Sequence, residues 1–181
     1  MSFFRTQPNA TAVHARFAAL CVAVVAALAA GAPALASETH GSQAAHPHHV
    51  SLMLGAADNH HLDETGFTIG ASYRRTVAPK VAVGPMIDFA FYDHETTTLL
   101  VAAAFWKPAG NLILLAGPGV EFVHVDDAVG HEGGTEREFA FRLGAGYEFH
   151  AGGLTITPGI GTDFVDGHTT VVYAVAFGFG F

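Results

Sequence analysis

The stretch that most narrows what this chain can fold into is its last, Thr169 to Phe181, which reads TTVVYAVAFGFGF. Large side chains occupy one parity, Val171, Tyr173, Val175, Phe177, Phe179 and Phe181. The other parity shrinks from Val172 through Ala174 and Ala176 to Gly178 and Gly180. A two-residue period is that of a β-strand, whose successive side chains point to opposite faces. In a water-soluble sandwich the second face would meet solvent and carry Thr, Lys or Glu. Ala and Gly there suit a strand whose large side chains meet lipid while its small ones line the narrow interior of a closed barrel.

The same texture runs backwards through the chain. Segments of about ten residues with alternating character, separated by turn residues, are the expected mark of membrane-crossing strands. Eight of them are read, at 49–57, 65–75, 81–91, 96–106, 112–123, 137–149, 154–164 and 169–181. The sixth is the clearest: Phe139, Phe141, Leu143, Tyr147 and Phe149 oppose Glu138, Ala140, Arg142, Gly144, Gly146 and Glu148. Arg74, Asp88, Glu121, Arg142, Glu148 and Asp163 all fall on the faces assigned to the interior, where a charge avoids the roughly 2–4 kcal/mol that Arg or Lys costs at the lipid midplane. The first and fourth segments, VSLMLGAA and TTTLLVAAAFW, carry no charge that fixes which face is which. Pro85, Pro118 and Pro158 each interrupt a segment, and a closed barrel has no free edge for a residue without an N–H. A glycine lies beside each, so bulges are expected there.

A terminal Phe preceded by aromatic or aliphatic residues at alternate positions resembles the C-terminal signature of bacterial outer-membrane β-barrel proteins. The resemblance covers 49–181. It implies an all-β, eight-stranded antiparallel transmembrane up-and-down β-barrel in contact with outer-membrane lipid. It further implies that Tyr173, Val175, Phe177, Phe179 and Phe181 form the strand recognised by the barrel assembly machinery. No activity follows, because members of this broad class serve as anchors, adhesins, small pores and a few enzymes.

The start of the chain agrees with export. Arg5 and Arg16 precede the apolar run Phe17 to Ala30, and Ala-Pro-Ala-Leu-Ala ends at Ala36, so residues 1–36 are read as a secretory signal peptide. The run is short of the ~20 residues a spanning helix needs. The only cysteine, Cys21, lies within it, which leaves no thiol or disulfide chemistry beyond. Removing this segment takes away two of the eight basic residues and none of the sixteen acidic ones, making an already acidic chain more so. That excludes nucleic acid as a natural partner. Residues 37–48, SETHGSQAAHPH, lack any period and are read as a flexible, His-rich lead-in to the barrel at 49–181.

Where chemistry could reside follows from the connections. Those after the second, fourth and sixth strands, TVAPK, KPAGN and HAGG, are short turn-formers assigned to the periplasmic side. The other four, assigned to the exterior, each carry both His and carboxylate. His60, His61, His94, His131 and His168 with Asp58, Asp93, Asp126 and Asp166 form the candidate metal set, since imidazole with carboxylate suits Zn²⁺, Cu²⁺ or Ni²⁺. The plainer reading of the same residues is a solvated polar rim. The interior charges likewise read either as the lining of a narrow pore or as a hydrogen-bonded plug, and an eight-stranded barrel is just wide enough for side chains to fill. An enzyme acting on lipid or peptide would need a nucleophile beside a base. Ser51 and Ser72 lie near the periplasmic ends of their strands, away from the His-bearing connections. The expectation is therefore a non-enzymatic envelope protein whose acidic, His-bearing rim binds a divalent metal or an extracellular ligand, with a narrow porin-like channel as the alternative.

Overall fold

The structure, a computed structural model, describes residues 47–60, 63–93, 95–125 and 135–181. The candidate metal ligands His61, His94, Asp126 and His131, the leader and most of the lead-in lie outside the described residues. The strands are β1 (His48–Asn59), β2 (Glu64–Ala78), β3 (Val81–Phe91), β4 (Glu95–Trp106), β5 (Leu112–Val125), β6 (Thr135–Tyr147), β7 (Phe149–Ala151), β8 (Leu154–Val165) and β9 (His168–Gly180). From β1 to β6 each strand pairs antiparallel with the next; β1 also pairs with β9, β9 with β8, and β8 with both β6 and β7. The sheet therefore closes on itself. β6 and β7 are two parts of one long strand parted at Glu148, so the barrel has eight staves rather than nine.

The alternation decides the facing. In β9 and the residue after it, Phe177, Phe179 and Phe181 are exposed on the outside whereas Val172 and Ala174 are buried inside. Leu52, Leu54, Phe67, Ile69, Phe139, Phe141, Leu143 and Phe164 continue this outward apolar surface around the barrel. β4, whose facing the sequence left open, turns Leu99, Val101, Ala103 and Phe105 inward and Leu100 and Trp106 outward. The inward residues of β4 join Ile113, Ala140 and Val165 in an apolar core within the lumen.

The bulges expected at the three prolines are absent. Ser72↔Met86 and Arg75↔Val83 flank Pro85 in one register, Val101↔Gly119 and Ala104↔Ala116 do the same around Pro118, and Gly146↔Gly159 and Phe149↔Ile156 around Pro158. Each proline simply loses its rungs to the preceding strand and keeps its pairing with the following one, at Ala102, Phe141 and Val175. The neighbouring glycine makes this tolerable without an inserted residue. At Gly84 and Gly117 the carbonyls of Tyr73 and Ala102 come so close that a Cβ would overlap them. The one register shift between β2 and β3 lies instead beside their turn, between Thr76 and Ala78.

The four connections β1–β2, β3–β4, β5–β6 and β8–β9 share one end, the loop rim. The chain end and the turns β2–β3, β4–β5 and β7–β8 share the other, the terminal rim. At the terminal rim the ladder is extended past β9 by Phe181, whose backbone exchanges hydrogen bonds at 3.0 and 3.2 Å with that of His48, the first residue of β1. At the loop rim a two-residue hairpin, Asp166–Gly167 with Gly167 at φ +88°, starts β9 at His168 and sets its side chain on the inward parity.

Candidate functional site

The inward charges form tiers along the lumen. In the middle tier Arg142, on β6, is 4% exposed. It donates twice to its cross-strand partner Asp163, from Nε to Oδ1 at 2.5 Å and from Nη2 to Oδ2 at 2.7 Å, and its Nη1 donates across the barrel to Asp88 on β3. The forked guanidinium fits this geometry, and opposite charge compensates each group for its lost water. The inner faces of β2 and β3 meet closely at this height: a Cβ on Gly70 would overlap Asp88 Oδ1.

The second tier lies at the terminal rim. Glu148 is fully buried at the break between β6 and β7. It accepts from Arg74 on β2 across the lumen and forms an ion pair with Lys107 beyond β4, while its own N–H is held by the Asn111 carbonyl at 2.9 Å. Arg74 also lies over the Phe105 ring, 5.7 Å from its centroid. Between the two tiers is a cavity of about 130 Å³ lined mainly by apolar groups, among them Met53, Met86, Phe105, Ile113 and Leu115. Below the second tier a wider opening of about 450 Å³ is lined by His48, His49, Lys80 and His150. The Ser51 and Ser72 hydroxyls hydrogen-bond each other at 2.8 Å.

The third group sits at the loop mouth. Glu121 on β5 and Glu138 on β6 are direct cross-strand partners on the inward parity. Like charges facing each other across a ladder destabilise it, and Glu121 is only 5% exposed. The His168 ring enters between them, with Nε2 3.4 Å from Glu121 and Nδ1 3.9 Å from Glu138. Just beyond β3, Tyr92 packs on Ala57, Ala90, Val172 and Ala174. Burial above all, and then the carboxylates of Glu121, Glu95, Asp163 and Asp58, push its phenol well above the usual tyrosine range. The mouth is thus acidic, whereas Arg74, Lys80 and Lys107 make the terminal rim basic.

Against this geometry the metal set expected from sequence is largely dispersed. His60, Asp93 and Asp166 are exposed on three different connections, and Asp58 lies on the outward parity of β1, opposite Val171. Among the described residues, one group of three donors has its ligand atoms within reach of a common ion, and it consists of Glu121, Glu138 and His168, all within 4.8 Å of one another. His168 belongs to the expected set; the two glutamates do not. In the sequence Glu121 belongs to the interior network and Glu138 is simply an inward residue, although both show the available signal, an inward carboxylate near the loop end of a strand.

No protein-family model matches this sequence, and no curated protein is significantly similar to it. Solved structures do resemble it in fold. Neisserial surface protein A matches with a TM-score of 0.53 at 10% identity, over 74% of this chain and 96% of that one. The N-terminal β-barrel domain of Pseudomonas aeruginosa OprF matches at 0.51 and 12% identity, over 72% and 97%. Ail, the attachment invasion locus protein of Yersinia pestis, crystallised with the heparin analogue sucrose octasulfate, matches at 0.50 and 13% identity, over 74% and 96%. The chain has the fold of the small outer-membrane β-barrels.

Proposed function

We propose that this chain is a sealed, non-enzymatic barrel of the outer membrane that acts through its extracellular mouth. The observation that carries the reading is the pair of ion-pair tiers, Asp88–Arg142–Asp163 and Arg74–Glu148–Lys107, each joining opposite walls of the lumen. Together with the apolar core of Leu99, Val101, Phe105 and Ile113 they leave a cavity of only about 130 Å³ between them, in keeping with an interior just wide enough for side chains. The outward belt of Leu, Ile and Phe supports a lipid environment, because among the described residues no second layer of protein covers it. The fold shared with outer-membrane proteins supports that membrane in particular, with barrel assembly through the β9 strand and the loop rim facing outwards. Ail was crystallised with a sulfated ligand; the carboxylates around Tyr92 favour the opposite charge here, a cationic partner or a metal.

The test is current across a planar bilayer holding the refolded protein. The expected record is flat at both polarities. A narrow pore has one observation in its favour, the cavity between the tiers and the wider opening below it. Discrete conductance steps from the unaltered chain would decide for the pore and against the sealed reading.

A further inference from the structure

We propose that Glu121, Glu138 and His168 form a site for one divalent transition-metal ion in the loop mouth. The proposal does not depend on the lumen being sealed. It begins with the ladder. Register sets two carboxylates directly opposite each other on adjacent strands, one of them almost fully buried. Such a pair is relieved by a shared proton or by a compensating cation, and a cation can serve both oxygens at once. Arg142, the nearest inward guanidinium along β6, is already shared between Asp88 and Asp163. Among the described residues the group within 4.0 Å of either glutamate that can carry positive charge is the imidazole of His168. A single imidazole supplies at most one positive charge against the two carboxylates. A dication cancels both at once and accepts a lone pair from the ring.

The donor chemistry and the packing agree with this. One imidazole and two carboxylates are borderline-to-hard donors suited to Zn²⁺ and its first-row neighbours, with water completing the shell. Glu138 Oε2 is buried with no hydrogen-bond partner, so an acceptor oxygen is free to ligate without breaking a bond. Bonds of about 2.0–2.2 Å require donors closer together than the present 4.8 Å spread. The Glu138 side chain, 28% exposed against 6% for Glu121, is the one with room to swing inwards. Glu121 and His168 would act as the fixed ligands and Glu138 as the closing one.

The test uses the full mature chain refolded in detergent micelles, with His40 and His46 replaced by Asn so that the lead-in does not compete. Calorimetric titration with Zn²⁺ should give one site per chain at micromolar metal, and Co²⁺ should give the visible absorption of a low-symmetry bound ion. His168→Asn and Glu121→Gln should each weaken binding by about tenfold or more. His60→Asn and Asp166→Asn, on the same rim but outside the cluster, should not. Folding of each variant is checked by its heat-dependent gel mobility, and Glu121→Gln should fold at least as well as the parent because it relieves the like-charge pair. The site is disproved if the parent fails to bind at micromolar metal, if His168→Asn and Glu121→Gln bind as it does, or if Mg²⁺ competes with Zn²⁺ at equal concentration.

Discussion

Arg142 shows what a single residue does in this lumen. Its three donors reach two carboxylates on β3 and β8, strands that do not touch each other in the sheet. Replacing it with Leu keeps bulk but strands Asp88 and Asp163 in a buried, water-poor place, at a cost of about 3–5 kcal/mol, as for other buried pairs that lose one partner. Urea unfolding of the refolded protein in micelles measures the loss. Adding Asp88→Asn and Asp163→Asn to Arg142→Leu should recover most of it, because the penalty comes from uncompensated charge. A triple variant no more stable than the single one would assign Arg142 a packing role instead.

At the scale of the element, β9 and its extension carry the closure of the barrel. β9 pairs along its length with both β1 and β8. Phe181 adds two backbone hydrogen bonds to His48, stacks its ring on that imidazole with centroids 5.6 Å apart, and touches Phe179. Phe179→Ser with Phe181→Ser should therefore lower the folded yield in cells far more than Phe67→Ser with Ile69→Ser. All four side chains face outwards, and their transfer energies of roughly 1.5–3 kcal/mol each do not separate the pairs. The comparison is made on outer-membrane fractions with and without heating. Equal losses would reduce β9 to one lipid-facing strand among eight.

The whole molecule joins an apolar exterior to a charged and partly apolar interior, and its described long strands close into a cylinder. Such a closed hydrogen-bonded cylinder should stay folded in cold detergent and migrate faster on a gel than after boiling, and the protein should fractionate with outer membranes. A mature chain recovered as a soluble monomer would contradict this. The two rims differ in sign, acidic around Tyr92 and His168 and basic around Arg74, Lys80 and Lys107. A cation is therefore drawn to one end only.

Much of this was legible in the sequence because strand periodicity is local. Parity alone sends Phe139, Phe141 and Leu143 to one face and Glu138, Ala140 and Arg142 to the other, and the charges say which face is inside. Where both parities are apolar, as in TTTLLVAAAFW, parity is silent. Only closure revealed that Leu99, Val101 and Phe105 fill the lumen. The prolines misled for a related reason: their missing donors are visible in sequence, whereas the close approach of the Tyr73 and Ala102 carbonyls at Gly84 and Gly117, which removes the need for a bulge, is a property of two strands together. The mouth cluster is the strongest case. A residue's parity fixes its face but not its height along the barrel or its neighbour across the ladder, and these depend on the register between strands. The sequence determined that Glu121, Glu138 and His168 stand near the loop ends of their strands; the tertiary structure alone decided that they meet, because register set the two carboxylates opposite each other and closure swung β9 round to place an imidazole between them.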